Sequence, residues 1–253
     1  MKSKKLLLLF CTFIFLGVFF YCLPFLFIRL KKLDFPYTVL YSIAKQKTKS
    51  TRNSEEQIIQ LYDFIRNTIK VSTTTTTKNL LLGESGKHLV SKQGYCDEQC
   101  NTLLTLVNTI NHKGRLIFLY GKDSISHHSV CEVEIDGHYC MFDPFYGVTI
   151  RNHRGKLLGV HEIIKNSNLV RSLPFNSSIS TIKYQALYAK KFPYKITKYN
   201  QIIQLPTEQK IHGIYKIWYA IFGEINRKHL FNYYYKINQI SKQDQLVVNQ
   251  LFD

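Results

Sequence analysis

Acidic residues are scarce in this 253-residue chain: 17 Asp and Glu stand against 34 Lys and Arg, a formal net charge of +17. Residues 1–32 hold six of the basic residues and none of the acids; residues 33–253 keep 28 basic against 17 acidic. No Asp-x-Asp run of the calcium-loop kind occurs, which argues against a calcium-regulated protein. His112, His138, His153 and His161 have no ligand-like spacing to the cysteines, so no zinc site is expected, and no cofactor is called for. No nucleic-acid-binding motif is present and the lysines are scattered, which makes nucleic acid the least favoured partner. No Ala-x-Ala-like cleavage site follows the apolar N-terminus.

That N-terminus is the longest apolar run. Leu6 to Ile28 carries no charge and lies between Lys2, Lys4 and Lys5 on one side and Arg29, Lys31 and Lys32 on the other. A helix of about 20 residues crosses a bilayer core, so the segment reads as a single-pass, uncleaved signal anchor. Pro24 kinks it or marks a shorter span. Basic residues flank both ends, so the positive-inside rule does not choose an orientation. A short lysine-bearing start before a large domain favours export of the remainder. The basic surplus outside the anchor suits anionic lipid headgroups or an acidic polymer substrate, or reflects only coding bias.

Chemistry is concentrated between Gly94 and Pro144. After Cys96, the residues Leu103, Leu106, Val107 and Ile110 recur at helical spacing, and Gly114 follows the end. Cys96 is therefore expected at or just before a helix N-terminus, where unpaired amides and the helix dipole favour a thiolate. Asp97 and Glu98 oppose that effect, so a nearby imidazolium is needed. Further on, 128–135 is rich in β-branched residues, Asp136-Gly137 is a two-residue turn signal, and 138–143 returns. In that register Ile135 faces His138 and Val130 faces Asp143, which puts His128 diagonal to Asp143 on one sheet face. Cys131 and Cys140 fall diagonally on the other face as core residues, and His127 points away from Asp143. A thiol, an imidazole and a carboxylate in this order suit nucleophilic acyl transfer: Cys96 attacks, His128 moves the proton and Asp143 orients the ring. The Cys96 backbone amide is one oxyanion donor, and Gln93 is a second candidate.

Gly94-Tyr95-Cys96, His128-Ser129-Val130-Cys131-Glu132-Val133 and the run from Gly137 to Asp143-Pro144 resemble the transglutaminase-like superfamily of papain-type thiol enzymes. The helix at 54–65 and the segments Gly155-Lys156-Leu157-Leu158 and 160–164 are similar to parts of the same core, so the resemblance covers roughly residues 50–170. It implies an α+β fold, a catalytic helix packed on an antiparallel sheet, and peptide or amide hydrolysis or related acyl transfer. Val130 and Tyr139 stand where the family has Trp, and Asp97 stands where its animal crosslinking members have Trp. With no calcium loop, these departures point to the bacterial-type branch and a protein or peptide substrate. Glu132 is expected to hydrogen-bond structurally, and Cys100 to pack where the family has a small residue. The alternative is a membrane-tethered binding or scaffold module on the same fold, with little catalysis.

The organisation that follows is an anchor over 1–32, a catalytic domain over 33–175 and a mostly helical extension over 176–253. Residues 71–77 are a low-complexity Thr-rich stretch, and Asn176-Ser177-Ser178 matches a glycosylation acceptor. Two helical stretches are expected after Thr207, one running through Ile211 to Ile221 and one from Leu230 to Ile240, with aromatic stripes that pack inward.

Overall fold

A computed structural model describes residues 2–30, 34–71, 82–120, 125–165, 194–197 and 206–252. The Thr-rich stretch and the glycosylation motif lie outside them. The fold is α+β, mostly helical with one small antiparallel sheet. It divides into two units, one of residues 1–38 with 203–250 and one of residues 39–202 with 251–253.

The second unit holds the sheet. After α2 (Phe35–Lys47), helix α3 (Ser54–Thr68) starts at Asn53, whose side chain accepts from Glu56 N–H at 3.1 Å, and buries Ile58, Leu61, Tyr62 and Ile65 at helical spacing. Helices α4 (Gly83–Ser91) and α5 (Cys96–Thr109) follow, and α3 and α4 both pack on α5. Strands β1 (Gly114–Tyr120), β2 (Ser126–Ile135), β3 (His138–Asp143), β4 (Val148–Thr149) and β5 (Tyr194–Thr197) form a sheet of order β4-β3-β2-β1-β5, antiparallel throughout.

Asp136 (φ 50°) and Gly137 (φ 78°) are both left-handed, the conformation that a two-residue hairpin turn demands. They set Ile135 opposite His138 and Cys131 opposite Phe142. On one face Ile117, Leu119, Val130 and Met141 pack with Ile150, Leu158, Val160 and Ile163, the last two from helix α6 (Val160–Lys165). On the other, α5 lies against β2: Cys100 Sγ donates to Ser129 O at 3.6 Å and also hydrogen-bonds Cys131. Strand β2 is thus covered on both sides, which explains its near-continuous burial.

The first unit contains α1 (Lys2–Arg29), the one described helix long and apolar enough to cross a membrane. It also contains α7 (Pro206–Ile237) and α8 (Lys242–Gln250). The sequence suggests a gap between two helical stretches, but the chain breaks only at Gly223 (φ 64°, ψ −162°). Asn226 Nδ2 donates to Phe222 O across the break at 3.1 Å, and Asn226 Oδ1 accepts from Tyr21 Oη at 3.3 Å. Trp218 and Tyr233 lie fifteen residues apart, about 22 Å along a straight helix. Yet their rings sit 6.3 and 5.4 Å from the single ring of Phe25. Gly223 therefore folds α7 into two arms that close on α1, with Tyr215, Trp218, Phe231 and Tyr235 buried. The rings of Tyr215, Trp218 and Tyr235 and the side chain of Leu230 pack inward, whereas Ile217, Ile221 and Ile237 of the same stretches are exposed.

Candidate functional site

The chain enters α5 through a pinned loop. Gly94 N–H donates to Lys70 O (3.0 Å), and Lys70 N–H donates to Lys92 O (2.9 Å). A Cβ on Gly94 would stand 3.2 Å from Ile69 Cγ2 and 3.4 Å from both Glu98 Cβ and His88 Nδ1, so the first glycine of Gly-x-Cys is a matter of room. Tyr95 is the N-cap, in extended conformation, which makes Cys96 the first helical residue. An amide at that position has no intrahelical acceptor, and its dipole favours negative charge on the sulfur.

The two acids after the thiol do different things. Glu98 Oε2 accepts the Tyr95 N–H at 2.8 Å, and its Oε1 lies 3.5 Å from Nε2 of the buried His88. His88 Nδ1 is 3.0 Å from Gln93 O. A side chain in the third helical position points back over the start of the helix, so Glu98 holds the loop together. Burial raises the Cys96 thiol, and Asp97 adds to it. Glu98, which the sequence sets against the thiolate together with Asp97, also serves the cap.

The remaining groups converge on His128. Its Nε2 is 2.7 Å from Asp143 Oδ2, with both side chains buried. Asp143 Oδ1 accepts the Tyr146 N–H at 3.1 Å, so the carboxylate is held from both oxygens. The ring also hydrogen-bonds Cys96, whose sulfur meets the Ser129 backbone amide. Burial raises a thiol and lowers an imidazole, yet both groups move the opposite way. The His128 hydrogen bond and charge, with the Ser129 amide, take the Cys96 thiol below its ordinary value. The charge and hydrogen bond of Asp143, followed by Cys96, overcome burial and push His128 up to about 9. The arrangement favours a thiolate–imidazolium pair, with Cys96 still partly accessible.

Aromatic rings flank this pair. Tyr146 and Phe145 lie 4.8 and 5.9 Å from the His128 ring, centroid to centroid, and meet each other edge to face at 4.8 Å. Sequence reasoning passed over both, although they directly follow Asp143-Pro144. It also passed over His88, for which no sequence signal exists. Gln93 is exposed; its carbonyl faces His88 Nδ1, accepts from Ser91 Oγ (3.2 Å), and its N–H donates to Ser91 Oγ (3.3 Å). His127 is exposed, and His138 pairs with Glu162 at 3.0 Å.

Glu132, on the same strand face as His128, is buried and structural. Its Oε2 accepts from Arg115 Nε and Nη2, each at 2.6 Å, and its Oε1 accepts Val160 N–H at 2.7 Å. The Arg115 guanidinium stacks over Tyr139, 4.0 Å from its centroid. Cys100, Cys131 and Cys140 are buried and unpaired as disulfides. Burial lifts the Cys100 thiol well above its ordinary value and the Cys140 thiol up to about 12. Among the described residues, no three His, Cys, Asp or Glu side chains are grouped to hold a metal ion.

No family model matches the chain, and no curated protein matches it. Solved structures similar to part of it include a candidate cysteine protease from Cytophaga hutchinsonii, 17% identical with a TM-score of 0.37 over 43% of this chain and 37% of that one. A candidate protease from Parabacteroides distasonis is 14% identical, with a TM-score of 0.35 over 41% of this chain and 22% of that one. The chain therefore spans well under half the length of either protein it is similar to.

Proposed function

We infer that the chain is a membrane-tethered, transglutaminase-like thiol enzyme that cleaves or transfers acyl groups at amide bonds of a protein or peptide. The observation that carries this reading is one buried imidazole held between a buried carboxylate and a partly accessible thiol. Cys96 Sγ attacks the amide carbonyl carbon, and the electron pair moves to oxygen. As the tetrahedral intermediate collapses, the C–N bond breaks and the proton on His128 passes to the departing nitrogen. A thioester on Cys96 and a neutral imidazole remain. Water or an amine then attacks, gives its proton to His128, and expels the sulfur as thiolate.

Asp143 keeps Nε2–H of the ring engaged throughout, leaving the nitrogen on the Cys96 side for proton transfer. The Cys96 N–H is the first oxyanion donor, as an amide without an intrahelical partner, and the Gln93 side chain is the candidate second. A protein or peptide segment that reaches the thiol would meet Tyr95 and Tyr146 beside it, which suits an apolar side chain next to the scissile bond.

The test uses the full chain in detergent with 4-nitrophenyl acetate. A burst of nitrophenolate, acetyl mass on Cys96 and continued turnover support the enzyme. Cys96→Ser abolishes all three, and His128→Ala removes turnover. Acetylation without turnover in the unaltered chain supports the binding-module alternative, and no acetylation at Cys96 overturns the thiol-enzyme reading.

A further inference from the structure

The free faces of the two α7 arms differ in chemistry. On the first arm, Ile217 and Ile221 are 55% and 62% exposed and Ala220 is exposed between them. On the second, Lys228, His229, Asn232 and Lys236 are exposed. Isoleucines left bare at successive helical turns need a partner, and α1 supplies the reference for what that partner is.

Leu6 to Phe19 of α1 has no protein cover, whereas Phe20 to Phe25 is packed by α7. Phe222, beside the break, contacts Phe20 and Tyr21 at 6.2 and 5.1 Å. Trp218 Nε1 donates to Tyr21 O at 2.9 Å, and its ring lies 6.3 Å from Phe25. Counted from Lys5, the roughly 20 residues that cross a hydrocarbon core of ~30 Å end near Phe25. The bend of α7 thus touches α1 at the depth where acyl chains give way to headgroups. Indole and phenol rings gather at that depth, and the basic second arm suits anionic headgroups.

We propose that α7 is an interfacial membrane element: its first arm seats Ile217, Ala220 and Ile221 among the lipid acyl chains beside α1, and its second arm turns Lys228 and Lys236 to the headgroups. The bilayer is the occupant because the bare face of α7 is held, by packing onto α1, against the segment of α1 that ends the span. The chain is then held by an anchor with a buttress rather than by one helix on a tether. The proposal rests on α1 crossing the bilayer, not on the chemistry of Cys96.

Trp218 is the sole tryptophan, so added tryptophans can be read against a single background. The full chain is reconstituted in phosphatidylcholine–phosphatidylglycerol vesicles with and without brominated acyl chains, with Leu16→Trp, Ile217→Trp, Ile221→Trp and His229→Trp variants. The expected result is about twofold or greater quenching of the added emission at Leu16, Ile217 and Ile221, and little at His229. Quenching at Leu16 with no more at Ile217 and Ile221 than at His229 overturns the proposal and leaves the span standing. No quenching at Leu16 overturns both. The two isoleucine positions are independent, so misfolding of one variant leaves the other to decide.

Discussion

His128 stays charged because Asp143 outweighs burial, and that balance has a signed consequence for pH. Its value in the folded chain, about 9, lies above its ordinary 6.5. The stabilisation it brings is therefore fully present below about pH 6.5 and is lost as pH rises through about 9. Urea denaturation of the unaltered chain and of Asp143→Asn should differ most near pH 6.5, with the gap closing by about pH 10. The same ring lowers the Cys96 thiol, so His128→Ala should slow iodoacetamide labelling of Cys96 at neutral pH about tenfold or more. An unchanged rate would mean that no resting ion pair exists. Glu132 is a different kind of residue: it is buried, and its removal strands Arg115 and the Val160 amide. Glu132→Ala should cost about 3 kcal/mol in urea denaturation, with the labelling profile of Cys96 unmoved in whatever fraction stays folded.

At the scale of elements, the start of α5 separates two acids that composition cannot tell apart. Asp97→Asn should shift the pH profile of Cys96 labelling downward, because the Asp97 carboxylate opposes the thiolate. Glu98→Gln should leave that profile in place and cost about 1 kcal/mol of stability through the weakened cap of Tyr95. A like shift for both would mean that Glu98 acts on the sulfur after all. This difference was not legible in the sequence, because it depends on which way the third helical side chain turns and on His88 arriving from α4. The hairpin was legible: Asp136-Gly137 fixes the turn, and a period of two then carries His128 to the face of Asp143. The apolar spacing of Leu103, Leu106 and Val107 likewise announced α5. The rings of Phe145 and Tyr146 fold back onto His128 by tertiary packing, which no local pattern records. In α7 the helical content was readable, but the fold-back at Gly223 depends on one left-handed φ.

Over the whole molecule, basic residues flank both ends of α1 and choose no orientation, so export of the remainder is a proposal that fusions decide. A C-terminal alkaline phosphatase fusion should be active in cells, and a C-terminal fluorescent protein dark; the reverse pair would invert the topology. The cysteines offer a more practical consequence. Cys11 and Cys22 lie on the apolar α1 helix, while Cys100, Cys131 and Cys140 are sealed in packed interior. Once the chain is in a bilayer, a charged maleimide that cannot enter lipid leaves Cys11 unlabelled and meets Cys96 and, at the headgroup boundary, Cys22. A Cys22→Ser chain is thus a single-label preparation, and moles of dye bound per mole of chain count the accessible Cys96 thiols before any substrate is known.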